Sequence, residues 1–165
     1  MNVVATDPAL DLVLERVVDV PPALVWKAWT TPEILTRWFT PAPWTTPACE
    51  MDLRPGGRFR TVMRSPEGEE FDNVGCFLEV VPGKRLTWTS ALGPGFRPQS
   101  AQARDAAAGL LFTAVISIEP EGAGTRYVAT VIHGDASARQ KHAEMGFEKG
   151  WAAALTQLVA VVKTL

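Results

Sequence analysis

The sequence predicts an α+β domain in which one curved antiparallel sheet wraps a long C-terminal helix, in the order β-α-α-β6-α. Three observations carry this. Successive segments between residues 49 and 133 alternate with a period of two and are separated by turn residues. The final stretch, SARQKHAEMGFEKGWAAALTQLVAVVKTL, repeats its apolar residues at helical spacing. Ahead of the sheet, two short helical patterns meet at a proline.

The chain has 165 residues, which suits one domain with a sizeable core. A single unit over 1–165 is expected, its core spanning residues 10–162. Hydrophobic residues at 47% and charged ones at 21% match ordinary globular proteins and argue against wholesale disorder. A net charge of −2 gives no reason to expect nucleic acid or an anionic membrane as a partner. MNVVATDPALDL lacks the basic and apolar regions of a secretory signal. The longest apolar stretch, LLFTAVISI, is too short to span a bilayer. Cys49 and Cys76 form no CxxC and read as two reduced, buried thiols. The expected setting is cytoplasmic, without membrane insertion, as a monomer or homodimer.

Taken in order, DLVLERVVDV at 11–20 is rich in Val and Leu and stops at Pro21-Pro22, which predicts a first strand. Pro22 suits the first turn of a helix, and Val25, Trp26 and Trp29 follow at helical spacing. Thr31-Pro32 breaks it, and PEILTRWF continues as a second helix with Ile34, Leu35 and Trp38 on one side. After a Pro-rich linker come six strand candidates: CEMDLRP, GRFRTVMRS, EFDNVGCFLEVV, RLTWTSA, LLFTAVISIEP and TRYVATVIH. Pro55-Gly56-Gly57, Pro66-Glu67-Gly68, Pro82-Gly83 and Gly122-Ala123-Gly124 supply turns between them, so consecutive strands are expected to pair antiparallel. The connection 91–109 is long and aperiodic, as functional or mobile loops commonly are. The closing helix, about 28 residues long, puts Phe147, Trp151, Leu155, Leu158, Val162 and Leu165 on one side. On the same side nearer its start lie Gln140 and Glu144, with His142 almost opposite.

One sheet with an apolar face needs a cover, and the long helix is the only element large enough. A single helix does not fill a curved sheet along its whole length. With the short helical elbow closing one end, what remains is a cavity.

VPPALVWKAWTTPEILTRWF, MDLRPGGRFR, GCFLEVVPGKRLTWT and KHAEMGFEKGW…LTQLV resemble the START-like, or helix-grip (SRPBCC), superfamily. More narrowly they resemble its bacterial branch related to the activator of the heat-shock-protein-90 ATPase, over nearly the whole chain. The resemblance implies a helix-grip domain with an internal, mostly apolar cavity for a small ligand. Some relatives are polyketide cyclases, some carry lipids or hormones, and a eukaryotic branch is a co-chaperone. The eukaryotic activators place a chaperone-binding domain before this one, and no counterpart of it stands in this sequence.

No catalytic constellation is evident. His142-Ala143-Glu144 matches the H-x-E of zinc deaminases, but no P-C-x-x-C follows. HExxH, paired cysteines, a G-x-S-x-G elbow and phosphate loops are all missing. Neither a metal site nor a cofactor is expected. His142 is predicted on the solvent face and His133 as a structural residue at a strand end. Glu144 is predicted to point inward, where a carboxylate is costly unless paired or hydrated. It reads either as a polar anchor able to act as acid or base, or as the partner of an arginine such as Arg37 or Arg97. Arg58, Arg60 and Arg64 share one strand face and, with Glu67, Glu69, Glu70 and Asp72 following, predict a solvated outer surface of mixed charge.

Alternation turns Phe59, Thr61 and Met63 toward the concave face, along with Leu86 and Trp88, and Phe112, Ala114 and Ile116. For residues 76–81 the pattern is ambiguous between Phe77 with Val81 and Leu78 with Val80. Rigid aromatics around an apolar space with one or two polar groups describe a small-molecule site. Its expected wall is Trp38, Trp44 and Phe59, with Met63, Phe77, Trp88, Phe112, Phe147 and Trp151 behind and Glu144 as the polar group. The leading expectation is a non-catalytic binding protein for a small hydrophobic molecule of aromatic or polyketide-like kind, with loop 91–109, including Phe96 and Arg97, as its lid. The alternatives are a cyclase- or hydrolase-type enzyme using cavity shape and Glu144, and a co-chaperone-like interaction protein that acts through its outer surface.

Overall fold

Hairpin chemistry along the chain produces a sheet whose middle strands pair largely with their sequence neighbours. The computed structural model describes residues 6–106 and 110–165. In chain order the elements are β1 (Asp11–Val18), α1 (Pro22–Thr30), α2 (Pro32–Leu35), β2 (Thr45–Met51), β3 (Arg58–Arg64), β4 (Glu70–Val81) and β5 (Arg85–Thr89). They continue with β6 (Leu92–Gly93), β7 (Arg97–Pro98), α3 (Ala101–Ala106), β8 (Phe112–Glu121), β9 (Gly124–His133), α4 (Ala136–Glu144) and α5 (Phe147–Val162). The large sheet has seven strands in the order β1-β9-β8-β5-β4-β3-β2.

Register aligns the apolar residues into rows across the concave face. Phe77 faces Trp88, Trp88 faces Ala114, Ala114 faces Val131 and Val131 faces Leu12. A second row runs Val80, Leu86, Ile116, Ala129, Leu14. The ambiguity in 76–81 has a physical cause. Between Phe77 and Glu79 the β4–β5 register shifts, so Leu78 is an extra residue. Such a bulge breaks the period of two and turns Phe77 and Val80 to the same face. Phe77 is fully buried.

The elbow and α5 close over this face. Trp29 of α1 donates its indole N–H to the Tyr127 hydroxyl on β9 at 3.0 Å. Trp38 donates its own to the Ala28 carbonyl at 3.1 Å. Gln157 of α5 donates to the Trp38 and Thr40 carbonyls at 3.0 and 2.8 Å and accepts from the Ala42 N–H at 2.9 Å, tying the Pro-rich linker to the helix. On α5, Phe147, Ala154, Leu155, Leu158 and Val162 are buried. Each large apolar side chain among them contributes about 1.5–3 kcal/mol of burial free energy.

Four expectations are corrected. The second helix ends at Leu35 rather than running through Phe39, and residues 36–40 form turns. The first of the six sheet strands starts at Thr45, ahead of the expected Cys49. The closing helix is not continuous. Gly146 adopts φ 91°, ψ 39°, a left-handed conformation that ends α4 and restarts the chain as α5. Leu165, expected on the inward side, is exposed at the chain end. The loop 91–109 carries a two-stranded β6–β7 ladder and α3, and its residues 107–109 lie outside those described.

Because Gly146 sets the angle between α4 and α5, Gly146→Ala should lower the unfolding free energy by about 1–2 kcal/mol, the cost of a left-handed conformation for a residue with a Cβ. Urea denaturation measures it. An unchanged midpoint would mean that the helix runs through without cost.

Candidate functional site

The concave face carries a continuous band of aromatic rings. Phe59 stacks on Phe77 with centroids 4.9 Å apart and meets Trp88 edge-on at 5.2 Å. Trp88 meets Phe112 at 5.5 Å, Phe112 meets Trp151 at 6.2 Å, and Trp151 meets Phe147 at 5.2 Å. At the elbow end, Phe39 bridges Trp38, at 5.7 Å, to Phe59, at 6.2 Å. Offset and edge-on pairs of this kind add about 0.5–1.5 kcal/mol each beyond the area they bury. Burial along the band is uneven. Trp38, Phe59, Phe77, Trp88 and Phe147 are buried, whereas Phe39, Phe112 and Trp151 are half-buried. Cys49 and Met51, opposite Thr61 and Phe59 in the β2–β3 register, are half-buried on the same side. Solvent therefore reaches parts of the band at Phe39, Phe112 and Trp151.

Trp88 is 7% exposed, and its Nε1–H finds no hydrogen-bond partner among the described residues. A buried donor left unmade costs about 1–3 kcal/mol. Two histidines lie beside the same rings. His133 Nδ1 lies 2.8 Å from the Leu10 carbonyl oxygen, and its Nε2 lies 2.9 Å from His142 Nδ1. A carbonyl only accepts, so His133 carries its proton on Nδ1. In the neutral pair His142 must then donate from Nδ1 to His133 Nε2, which leaves His142 Nε2 as an acceptor. The His142 ring packs against Phe112 at 5.0 Å and Phe147 at 5.3 Å. Burial, assisted by the charge of His133, pushes the His142 pKa down to about 4. No third His, Cys, Asp or Glu among the described residues joins the pair as a metal-ligating group would. The Cys49 thiol is pushed up to about 12 by burial and by the charges of Glu33 and Glu50, so it stays protonated at neutral pH.

The structure brings Trp38, Phe59, Phe77, Trp88, Phe112, Phe147 and Trp151 into one ring cluster, and Met63 lies half-buried beyond Phe59 on β3. Trp44 stands apart. It is 39% exposed and stacks on Phe71 at 5.7 Å. Glu144 requires correction: it is exposed, and Gln140 Nε2 donates to its Oε1 at 3.1 Å. His142 is the reverse, expected on the solvent face yet only 8% exposed. Both reversals follow from the break at Gly146, since a phase carried back from α5 does not apply to α4. Phe39, Met51, Cys49 and the histidine pair escaped the sequence reading. Met145-Gly146 was the available signal, because glycine is the usual residue just past a helix end. Arg60 pairs with Asp72 and Glu50, and Arg64 with Glu70, which gives the mixed-charge surface expected of that face.

A seven-stranded antiparallel sheet gripping a C-terminal helix defines the helix-grip, START-like class. The chain belongs to the family described as Activator of Hsp90 ATPase homolog 1-like protein, whose model matches residues 19–163. A solved structure of a protein from Nitrosomonas europaea is 47% identical, with a TM-score of 0.90 over 96% of this chain and 97% of that one. One from Arthrobacter aurescens is 25% identical, with a TM-score of 0.77 over 99% and 94%. An AHSA1-like protein from Aeromonas hydrophila, 23% identical with a TM-score of 0.66 over 94% and 93%, shares the fold. No curated protein matches the chain. No helix among the described residues is long and apolar enough to cross a membrane.

The depressed His142 pKa makes a stability prediction. The folded state holds this imidazole neutral, so the unfolded chain binds the extra proton between pH 6.5 and about 4. Stability is fully present above pH 6.5 and should fall by roughly 3 kcal/mol as pH drops through that window. Denaturant titrations at pH 7 and 4 measure it. His142→Asn, which keeps a donor toward His133, should flatten the dependence; an equal slope in both proteins would contradict it.

Proposed function

We propose that the protein binds a small, apolar, aromatic-bearing molecule between the concave face of the sheet and α5. The observation that carries this is the Trp88 indole N–H, buried among aromatic rings with no partner. Filling a core needs no such donor, and phenylalanine would pack without the cost. A bound molecule with an oxygen acceptor would satisfy it. The half-buried Phe39, Met51, Phe112 and Trp151 supply an apolar wall that a ligand can still reach. The cyclase-like alternative loses support because its acid–base residue, Glu144, faces outward. The interaction-protein alternative draws on the exposed Trp44–Phe71 stack.

N-phenyl-1-naphthylamine, an uncharged apolar probe, should quench tryptophan fluorescence and brighten in turn, saturating at one molecule per chain. Native mass spectrometry of gently purified protein should show an apolar adduct at the same stoichiometry. A protein that takes up neither probe nor adduct would overturn the proposal and leave the outer stack as the surface through which it acts.

A further inference from the structure

The two edges of the large sheet differ. At one end β2 carries Pro47, and its register slips between Thr45 and Ala48, features that blunt a strand against further pairing. At the other end β1 pairs with β9 through eight consecutive residues and holds no proline. The His133 N–H donates to the Leu10 carbonyl at 3.2 Å. In an antiparallel ladder Leu12, Leu14 and Arg16 then bond β9, and the odd residues turn their N–H and C=O groups to the open edge. Two of the outward carbonyls are covered: Arg139 Nε lies 3.4 Å from that of Asp11, and Arg16 Nη1 lies 2.9 Å from that of Glu15. The Asp11 N–H donates to the Asp7 carbonyl at 2.8 Å. Val13, in the middle, is different. Its N–H and C=O meet no partner among the described residues, and the residue is 47% exposed.

This stretch of edge opens into a cavity of about 440 Å³ between β1 and the α4–α5 pair. Leu12, Ala143 and Phe147 give the cavity its apolar lining. Its charged groups are Asp7, Asp11 and Glu148 against Arg139, with Arg16 at the rim 3.5 Å from Glu148, so carboxylates are in excess. A free strand edge beside a helix takes an extended peptide as an added strand, with the backbone giving affinity and side-chain pockets giving selectivity. We propose that β1 is a docking edge for an extended basic segment of a partner protein. One residue of that segment exchanges N–H and C=O bonds with Val13. An apolar side chain rests on Leu12 and Phe147, and flanking lysines or arginines answer Asp7, Asp11 and Glu148. The segment lies along the sheet edge rather than across the aromatic band, so the proposal stands independently of the ligand reading.

The probe is acetyl-Lys-Val-Leu-Val-Lys-amide, titrated into ¹⁵N-labelled protein while the backbone amides are followed. The Val13 amide proton should move downfield as it gains an acceptor. N-methylation of the central leucine should weaken binding about three- to tenfold, the range for a single hydrogen bond. The glutamate-flanked counterpart should bind about tenfold more weakly than the lysine peptide, and Glu148→Lys, a change at an exposed position, should narrow that gap. Val13→Pro removes the outward N–H at a place where an edge strand tolerates proline, and should weaken the lysine peptide as N-methylation does. Sedimentation velocity reports whether a second copy of the chain takes the edge instead. Any one of four results would overturn the proposal: no binding at millimolar peptide, equal binding of the lysine and glutamate peptides, indifference to both N-methylation and Val13→Pro, or a dimer that Val13→Pro dissociates.

Discussion

A helix too short for its sheet sets the terms for the whole molecule. The α5 helix has 16 residues, about 24 Å of length. Seven strands at the usual spacing make a sheet about 29 Å across. Whichever way the helix lies, part of the concave face needs another cover. The elbow of α1 and α2 and the turn that follows it bring Trp29, Trp38 and Phe39 to one part of it, and α4 brings His142 to another. The aromatic band is what fills the difference, and its uneven burial marks where filling is incomplete.

Within that band the tryptophans separate structural from unexplained polarity. The Trp29 and Trp38 indoles each meet an oxygen at ordinary hydrogen-bond distance, and both hold the elbow in place. Trp88 is buried to a similar degree and meets none. A fold that satisfies two of these donors with well-placed acceptors does not leave the third unmet for want of polar groups. The ligand proposed for this site would account for the difference with one assumption.

The fold was legible because alternation and turn residues agree along β3, β4, β5, β8 and β9. Where they disagreed, a physical irregularity was responsible. The β4 bulge at Leu78 hid the direction of Phe77, and the left-handed Gly146 displaced the phase of α4, exchanging Glu144 for His142 at the interior. Alternation made Phe59, Trp88 and Phe112 legible, since inward rings on adjacent strands must meet once register is set, and helical spacing did the same for Phe147 and Trp151. The polar groups beside them were not legible. The Trp88 donor is unmet only in three dimensions, and the His133–His142 contact joins a strand end to a helix through a turn whose geometry no periodicity describes. The family description names an ATPase activator, but the interior chemistry rests on these residues and stands independently of that name.

The most direct test of the central claim is the indole N–H spectrum of ¹⁵N-labelled protein, recorded with and without 2-acetylnaphthalene, an apolar aromatic molecule that offers an oxygen acceptor. The Trp88 proton should move downfield as it gains an acceptor, while the Trp29 and Trp38 protons, already bonded, should hold their positions. A Trp88 resonance that stays in place while the probe is bound would show that its N–H takes no part in recognition, and the account of the site would fail.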